Sequence, residues 1–318
     1  MEKRRLGYSD MEFTVIGLGT WAIGGGDWIY GWGPQDDKDS IYVIREAIDL
    51  GINWIDTAAV YGLGHAEKIV GKAVKGLRDK IFIATKCGRK WTQSGEIYGD
   101  LSRESIRREM EDSLRRLNMD YVDLYQIHWP DPDDKIEEAW EEMAKLKEEG
   151  KTRYIGVSNF SVAQMRRVQK IHPIASLQPK YNLLNPDIEN EILPFCKENN
   201  IGVIVYSPMA SGLLTGKYDK ERINALPKED WRSFRNPDFQ EPKLTRNLKI
   251  IDIMKKIGKK YGVTPSQLAI AWVLRRDEVT SAIVGARKPG QIKENIGGAS
   301  VPKEALQELQ RSVDMIDG

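Results

Sequence analysis

The sequence predicts an α/β protein, a single (β/α)8 barrel spanning residues 1–318, and three observations lead there. Short apolar segments alternate with amphipathic ones eight times along the chain. Segments in that order fold as parallel strands joined by right-handed helical crossovers. Nearly every strand candidate ends in an unusual polar residue: Asp56, Lys86, His128, Ser158 with Asn159, Gln178, and Tyr206 with Ser207, the eighth ending at Gly285 and Ala286. A barrel gathers those ends around one mouth, whereas an open sheet would string them along an edge. Finally, 318 residues accommodate one barrel of ~250 residues plus insertions.

The strand segments are VIGLGT (15–20), INWIDT (52–57), KIFIATK (80–86), YVDLYQIH (121–128), RYIGVSN (153–159), ASLQ (175–178), GVIVYS (202–207) and TSAIVGA (280–286). Their β-branched and aromatic content favours strand over buried helix, with 175–178 the thinnest. Helical periodicity covers about 38–50, 65–76, 102–118, 135–149, 161–170, 188–199, 247–261 and 265–275. Ser102 stands where an N-cap belongs, and Thr264 with Pro265 offers an N-cap followed by proline at the first helical position. Gly51 and Gly150 follow their helices where a left-handed residue ends the last turn.

Three longer stretches break the rhythm, at 24–35, 88–100 and 218–246. They carry Trp28, Tyr30 and Trp32; Trp91 and Tyr98; and Trp231, Phe234 and Phe239. Loops of this length in a compact domain are usually functional, so they are expected to wall a substrate cleft with aromatic rings.

Charge excludes several functions. Lys plus Arg, at 48, nearly cancels Asp plus Glu, at 47, so no overall field draws nucleic acid or an anionic membrane. No apolar run approaches the ~20 residues of a membrane span, and no apolar region follows the basic N-terminus as in a signal peptide. Two distant cysteines, Cys87 and Cys196, suit a reducing compartment, and a cytoplasmic location is expected. Three scattered histidines make a metal-dependent barrel hydrolase unattractive, and no metal is expected. Oligomeric state is not specified by any feature of the sequence.

Four residues stand out at the rim: Asp56, Tyr61, Lys86 and His128. A free tyrosine titrates near ~10 and gives up its proton poorly at neutral pH, but a nearby ammonium stabilises the phenolate. Lys86 supplies that charge and Asp56 holds it in place. The Tyr61 hydroxyl would then protonate a carbonyl oxygen as hydride reaches the carbon, while His128 donates a hydrogen bond that orients the carbonyl. Singly, these residues read as a buried ion pair, a packed loop aromatic and a structural histidine. Four together on adjacent strand ends favour the chemical reading.

Three motifs connect these residues: D-T-A-A-V-Y-G from Asp56, L-R-R-L-N-M-D-Y-V-D-L-Y-Q-I-H over 114–128, and M-A-K-L-K-E-E-G-K-T-R-Y-I-G-V-S-N-F over 143–160. In them the chain resembles the aldo-keto reductase family over essentially its whole length, specifically a bacterial branch related to potassium-channel β-subunits. The resemblance implies a catalytic tetrad of Asp56, Tyr61, Lys86 and His128 with Tyr61 as proton donor. It also implies reduction of aldehydes or ketones to alcohols with a nicotinamide cofactor lying across the barrel mouth. By matching positions, Thr20 and Trp21 would line the site, Ser158, Asn159 and Gln178 would hold the carboxamide, and Tyr206 would stack on the ring. Ser207, Pro208, Met209, Ala210, Ser211 and Lys217 would lie along the pyrophosphate. Gly285, Ala286, Arg287, Lys288, Gln291, Glu294 and Asn295 would surround the adenosine.

The most familiar branch has Lys-Ser where Gly285 and Ala286 stand, and Arg where Gln291 stands. Arg287 and Lys288 are expected to replace that charge, so NADPH is expected in preference to NADH. The helix after Tyr61 opens G-H-A-E where serine often precedes the glutamate, and only a local capping effect is expected. The family also includes regulatory β-subunits, so the alternative is an NADPH-binding redox sensor with little turnover. Two decoys are rejected. Gly17 and Gly19 fit a loose dinucleotide fingerprint but are not followed by a helix, and Gly212 to Lys217 is one residue short of a P-loop.

Overall fold

The computed structural model describes the chain except at Asp27, Lys228, Glu229 and Gly318, so parts of the 24–35 and 218–246 stretches lie outside the described residues. Eight parallel strands close into a barrel. In chain order they are β1 (Ile16–Gly19), β2 (Trp54–Asp56), β3 (Phe82–Cys87), β4 (Val122–Ile127), β5 (Thr152–Ser158), β6 (Ser176–Gln178), β7 (Gly202–Val205) and β8 (Val279–Gly285). Closure comes from β8 pairing with β1, Ala282 opposite Ile16 and Gly285 opposite Gly19. The expected fold holds, including the thin strand at 176–178.

Most helices bury one stripe against the barrel, whereas Pro265–Leu274 is buried nearly all round. In the helix Arg103–Leu117, Ile106, Met110, Leu114 and Leu117 recur at three- and four-residue spacing and are buried. The predicted punctuation is present: Ser102 accepts from the Ser105 amide, Thr264 and Gln267 form a reciprocal capping box, and Gly51 and Gly150 have φ of 88° and 76°.

Departures have local causes. The predicted helix at 188–199 divides into a 3-10 turn, Asp187–Glu189, and a helix, Ile192–Glu198, with Pro194 in its first turn, where a missing amide is tolerated. The helix expected at 247–261 begins earlier, as Lys243–Tyr261. The 88–100 stretch is no irregular loop but an antiparallel hairpin, Arg89–Trp91 with Ile97–Gly99, and the 218–246 stretch contains the short helices Lys220–Asn224 and Trp231–Phe234. The helices Gln291–Asn295 and Lys303–Asp317 were not foreseen.

A second unforeseen hairpin, Lys3–Arg5 with Glu12–Thr14, caps the end of the barrel opposite the predicted mouth. It carries Leu6, Met11 and Phe13 onto Trp54, Leu124 and Ile204, with the Phe13 and Trp54 rings stacked 4.6 Å apart. Trp54 lies so close to β1 that a Cβ on Gly17 would come within 2.0 Å of its indole. Gly17 is therefore a packing requirement of the barrel floor, consistent with rejecting it as a nucleotide loop.

Candidate active site

The strand register sets the site. Asp56 ends β2 opposite Ala84, and Lys86 on β3 stands opposite Gln126 on β4, one residue short of the pair Cys87 and Ile127. His128 follows β4 directly, its amide donating to the Cys87 carbonyl at 3.0 Å. Tyr61 arrives from the turn after β2. The next residue, Gly62, has φ of 58° and packs so tightly on Gly24 that a Cβ would lie 1.9 Å from the Gly24 carbonyl oxygen. Only glycine fits there, and the contact ties the Tyr61 turn to the 24–35 loop.

All four predicted catalytic side chains converge. Lys86 is fully buried and its ammonium donates to Asp56 Oδ2 at 2.7 Å, to the Thr57 carbonyl at 2.9 Å and to the Tyr61 hydroxyl at 3.2 Å. Those bonds use all three ammonium hydrogens. The other Asp56 oxygen accepts from Gln178 Nε2 at 2.8 Å. The His128 ring meets the Tyr61 ring edge-on at 5.8 Å, and neither of its ring nitrogens has a hydrogen-bond partner among the described residues.

The electrostatics differ from the sequence argument, which expected the ammonium to make the phenol acidic. Burial raises the Tyr61 pKa well above the usual tyrosine value, reinforced by the charges of Asp56 and Tyr206. Burial also lowers the pKa of Lys86, against the pull of Asp56. Desolvation outweighs attraction here, so the phenol keeps its hydrogen. For His128, burial and then the cations Lys86 and Arg89 push the pKa well below normal, leaving a neutral imidazole.

Beside the tetrad runs a hydrogen-bonded chain. Ser158 donates to the Gln178 carbonyl at 2.7 Å, Asn159 Nδ2 donates to the His128 carbonyl at 3.1 Å, and the Tyr206 hydroxyl donates to Asn159 Oδ1 at 2.9 Å. Asn159 holds φ of 61°, a conformation asparagine tolerates better than most residues.

A cavity of about 1230 Å³ stretches from Tyr61 and His128 to Gln291 and Asn295. Trp21, Ser158, Asn159, Gln178 and Tyr206 line it, as do Ser207, Pro208, Met209, Ser211 and Lys217, then Gly285, Ala286, Arg287, Lys288 and Glu294. Two of the residues expected at the cofactor, Thr20 and Ala210, do not line the cavity. Thr20 is fully buried behind the wall, its hydroxyl bonded to the Asp56 carbonyl at 3.1 Å. Ala210 is buried too, its Cβ off the cavity in a turn where Ser207, Ala210, Ser211 and Gly212 all have positive φ.

Of the aromatics expected to wall a cleft, Trp28, Tyr30, Trp32 and Trp231 do so. Trp91, Tyr98, Phe234 and Phe239 do not line the cavity; Phe239 is buried beneath Tyr218 instead. Trp129, next to His128, joins the wall without having been foreseen. At the far end the Arg287 guanidinium is absorbed by the 24–35 loop, bonding Gln35 at 2.9 Å, the Trp32 carbonyl at 2.8 Å and the Pro34 carbonyl at 2.6 Å. Gln291 Oε1 accepts from the amides of Arg287 and Lys288. Lys288 itself is exposed.

One smaller expectation changes. Glu67 in G-H-A-E makes no capping bond among the described residues. It is fully buried, accepting from Thr85 and Arg116 at 2.6 Å each, and so braces β3 against the helix Arg103–Leu117. Cys87 is buried with its thiol pKa pushed well up by desolvation, which makes it inert.

Residues 15–313 match the family model described as the aldo/keto reductase family. The chain belongs to that family. Among similar proteins is the aldo-keto reductase YhdN of Bacillus subtilis, 43% identical over 296 residues, covering 92% of this chain and 87% of YhdN. The NADH-specific methylglyoxal reductase of Escherichia coli is 37% identical over 317 residues, covering 95% and 94%. Among solved structures, glycerol dehydrogenase AKR11B4 from Gluconobacter oxydans superposes with a TM-score of 0.86 at 40% identity, over 99% of this chain and 94% of that one. This aldo-keto reductase is accordingly an oxidoreductase of carbonyl compounds that uses a nicotinamide cofactor. No helix among the described residues is long and apolar enough to cross a membrane.

Proposed function

We propose that the protein reduces aldehydes or ketones to alcohols, with NADPH preferred over NADH and Tyr61 as the general acid. The observation that carries this reading is the triple hydrogen bond of Lys86. Because its ammonium donates to the Tyr61 oxygen, the phenol accepts on that side and its own hydrogen is left for a carbonyl in the cavity. His128, neutral and with no hydrogen-bond partner for its ring among the described residues, donates to the same carbonyl and fixes its orientation. Asp56 keeps Lys86 charged and in place. As the phenol loses its proton, the ammonium 3.2 Å away stabilises the phenolate, both groups being buried.

The residues fit a dinucleotide: the cavity is long, its tetrad end offers amides and a hydroxyl for a carboxamide, and its other end is rich in backbone turns. Bound there, the reduced nicotinamide supplies the hydride. Ser158, Asn159 and Gln178 would hold the carboxamide and Tyr206 the ring face. Trp21 would border the ring, with Ser207, Pro208, Met209, Ser211 and Lys217 along the phosphates. Gly285 to Lys288, Gln291, Glu294 and Asn295 would enclose the adenosine.

Preference for NADPH rests on Lys288, since Arg287 spends its donors on the loop. Two buried free thiols, Cys87 and Cys196, support a cytoplasmic location. The deciding experiment follows NADPH and NADH oxidation over a panel of aldehydes, ketones and keto-sugars, with wild-type protein and Tyr61→Phe. Turnover by wild type and its loss in the variant support the assignment; equal turnover by both removes Tyr61 as the acid.

A further inference from the structure

At the tetrad end of the cavity one guanidinium has donors to spare. Arg89 follows Lys86 by three residues, opens the hairpin strand Arg89–Trp91 and lines the cavity beside His128 and Trp129. Its Nη1 donates to Asp131 Oδ2 at 2.8 Å, and its Cζ lies 5.8 Å from the centre of the Trp129 ring. Its Nε and Nη2 hydrogens have no acceptor among the described residues. Nearby arginines are differently engaged. Arg232 gives Nε and Nη2 to Asp230 and Nη1 to Tyr218, and Arg287 is tied to the 24–35 loop. Lys90, the adjacent cation, pairs with Asp100 at 3.2 Å and does not line the cavity.

The backbone holds Arg89 firmly at this position. The preceding Gly88 amide donates to the buried Glu109 carboxyl at 3.0 Å, and the Cys87 carbonyl accepts from the His128 amide at 3.0 Å. Its partner Asp131 is loosely placed by contrast, 59% exposed against 20% for the arginine, and exposed ion pairs of this kind are weak.

We propose that Arg89 is a specificity-determining residue that receives an anionic oxygen group of the substrate, a carboxylate or a phosphate ester, while the carbonyl lies at Tyr61 and His128. This rests on the carbonyl-reductase reading of the same site. The planar fork of Nε and Nη2 matches two oxygens of such a group. The Trp129 ring beside the guanidinium shields one face of such a pairing from water. An uncharged carbonyl compound leaves those donors unmet and forgoes the charge-assisted contact.

The test compares matched substrates: succinic semialdehyde against its methyl ester, and glyceraldehyde 3-phosphate against glyceraldehyde. For at least one pair the charged member has a kcat/KM about 10- to 100-fold higher, the range of a charge-assisted contact, carried mainly by KM and reduced by added salt. The pair that responds identifies carboxylate or phosphate as the group recognised. Arg89→Leu brings that ratio close to one, and Asp131→Asn widens it by removing the competing carboxylate. Calorimetry of the NADPH-bound enzyme with 4-hydroxybutyrate and with glycerol 3-phosphate, the alcohols these reductions would yield, which the reduced cofactor cannot turn over, gives a readout without turnover: one binds wild type and fails to bind Arg89→Leu. Ratios near one for both pairs in wild type overturn the proposal, as does an equal loss on charged and neutral substrates in Arg89→Leu. If no carbonyl is reduced yet the unreactive anion still binds through Arg89, the anion subsite stands and the reductase reading falls.

Discussion

Lys86 Nζ donates to the Tyr61 hydroxyl oxygen across 3.2 Å while both groups are buried. The direction of that bond matters more than the resting pKa of the phenol, which burial raises. It commits the tyrosine oxygen as an acceptor on the inner side and leaves its hydrogen for the cavity. Tyr61→Phe removes that hydrogen with almost no change in shape. Turnover is expected to fall by ~10²- to 10⁴-fold, the usual contribution of a general acid, while cofactor affinity, measured by fluorescence titration, stays within a few-fold. A Tyr61→Phe enzyme with wild-type kcat would show that another group supplies the proton.

Lys86 and Asp56 are buried as an ion pair at 2.7 Å, with side-chain exposures of 0% and 3%. Removing one partner strands the other. Lys86→Met leaves the Asp56 carboxylate with only its Gln178 bond, so a loss of ~3–5 kcal/mol in stability is expected, as for other broken buried pairs, together with loss of most activity. Asp56→Asn in the same background removes the stranded charge and should recover part of the stability without restoring turnover. Denaturant unfolding of the single and double variants measures both effects; additive losses would mean the pair is not coupled.

The barrel and its rim were legible because each rests on a local signal repeated eight times: a short apolar run, a polar end, a helix with recognisable punctuation. Asp56, Lys86 and His128 could be located for the same reason, since adjacent strand ends must be neighbours. Other features depend on long-range geometry that no window of sequence contains. The N-terminal hairpin has strands of three residues, KRR and EFT, too short and too charged for alternation to register. Thr20 looked like a site residue by position, and its rotation behind the wall follows only from the bond to the Asp56 carbonyl. The balance of burial against charge at Tyr61 required knowing how deep the side chain lies. The role of Glu67 was hidden because its partners, Thr85 and Arg116, are separated from it by 18 and 49 residues.

Glu109 gives a pH-dependent test of the support beneath the site. Burial raises its carboxyl pKa from 4.5 to about 7, against the hydrogen bonds from Gly88 and Ser105 and the charge of Lys90. Because the folded state binds this proton more tightly than the unfolded chain, its contribution to stability is present below pH 4.5 and is lost as pH rises to about 7. The full difference corresponds to about 3 kcal/mol. His128 and His172, both depressed by burial, act in the opposite sense below their unfolded pKa of ~6.5, so the informative quantity is wild type minus Glu109→Gln. That difference should become less favourable to wild type between pH 5 and pH 7 and then level off. Urea unfolding at half-unit pH steps measures it, and a difference independent of pH would mean that Glu109 does not titrate in this window.

Cofactor choice turns on one side chain. The Arg287 guanidinium is held by Trp32, Pro34 and Gln35, and moving it onto a phosphate would sacrifice those bonds. Lys288 is exposed at the same end of the cavity, and among the described residues only its amide is engaged, by Gln291. If NADPH is preferred, Lys288 is the residue that meets the 2′-phosphate at no structural cost. Lys288→Ala should then weaken NADPH binding by roughly tenfold, the equivalent of ~1.4 kcal/mol, and leave NADH binding unchanged, because NADH has a hydroxyl where NADPH has the phosphate. The NADPH loss should shrink at high salt, as for any exposed ion pair. Titration of both cofactors into wild type and variant decides it. An equal change for the two would move the selectivity to Arg287, and tighter binding of NADH by wild type would align this chain with its NADH-specific relative.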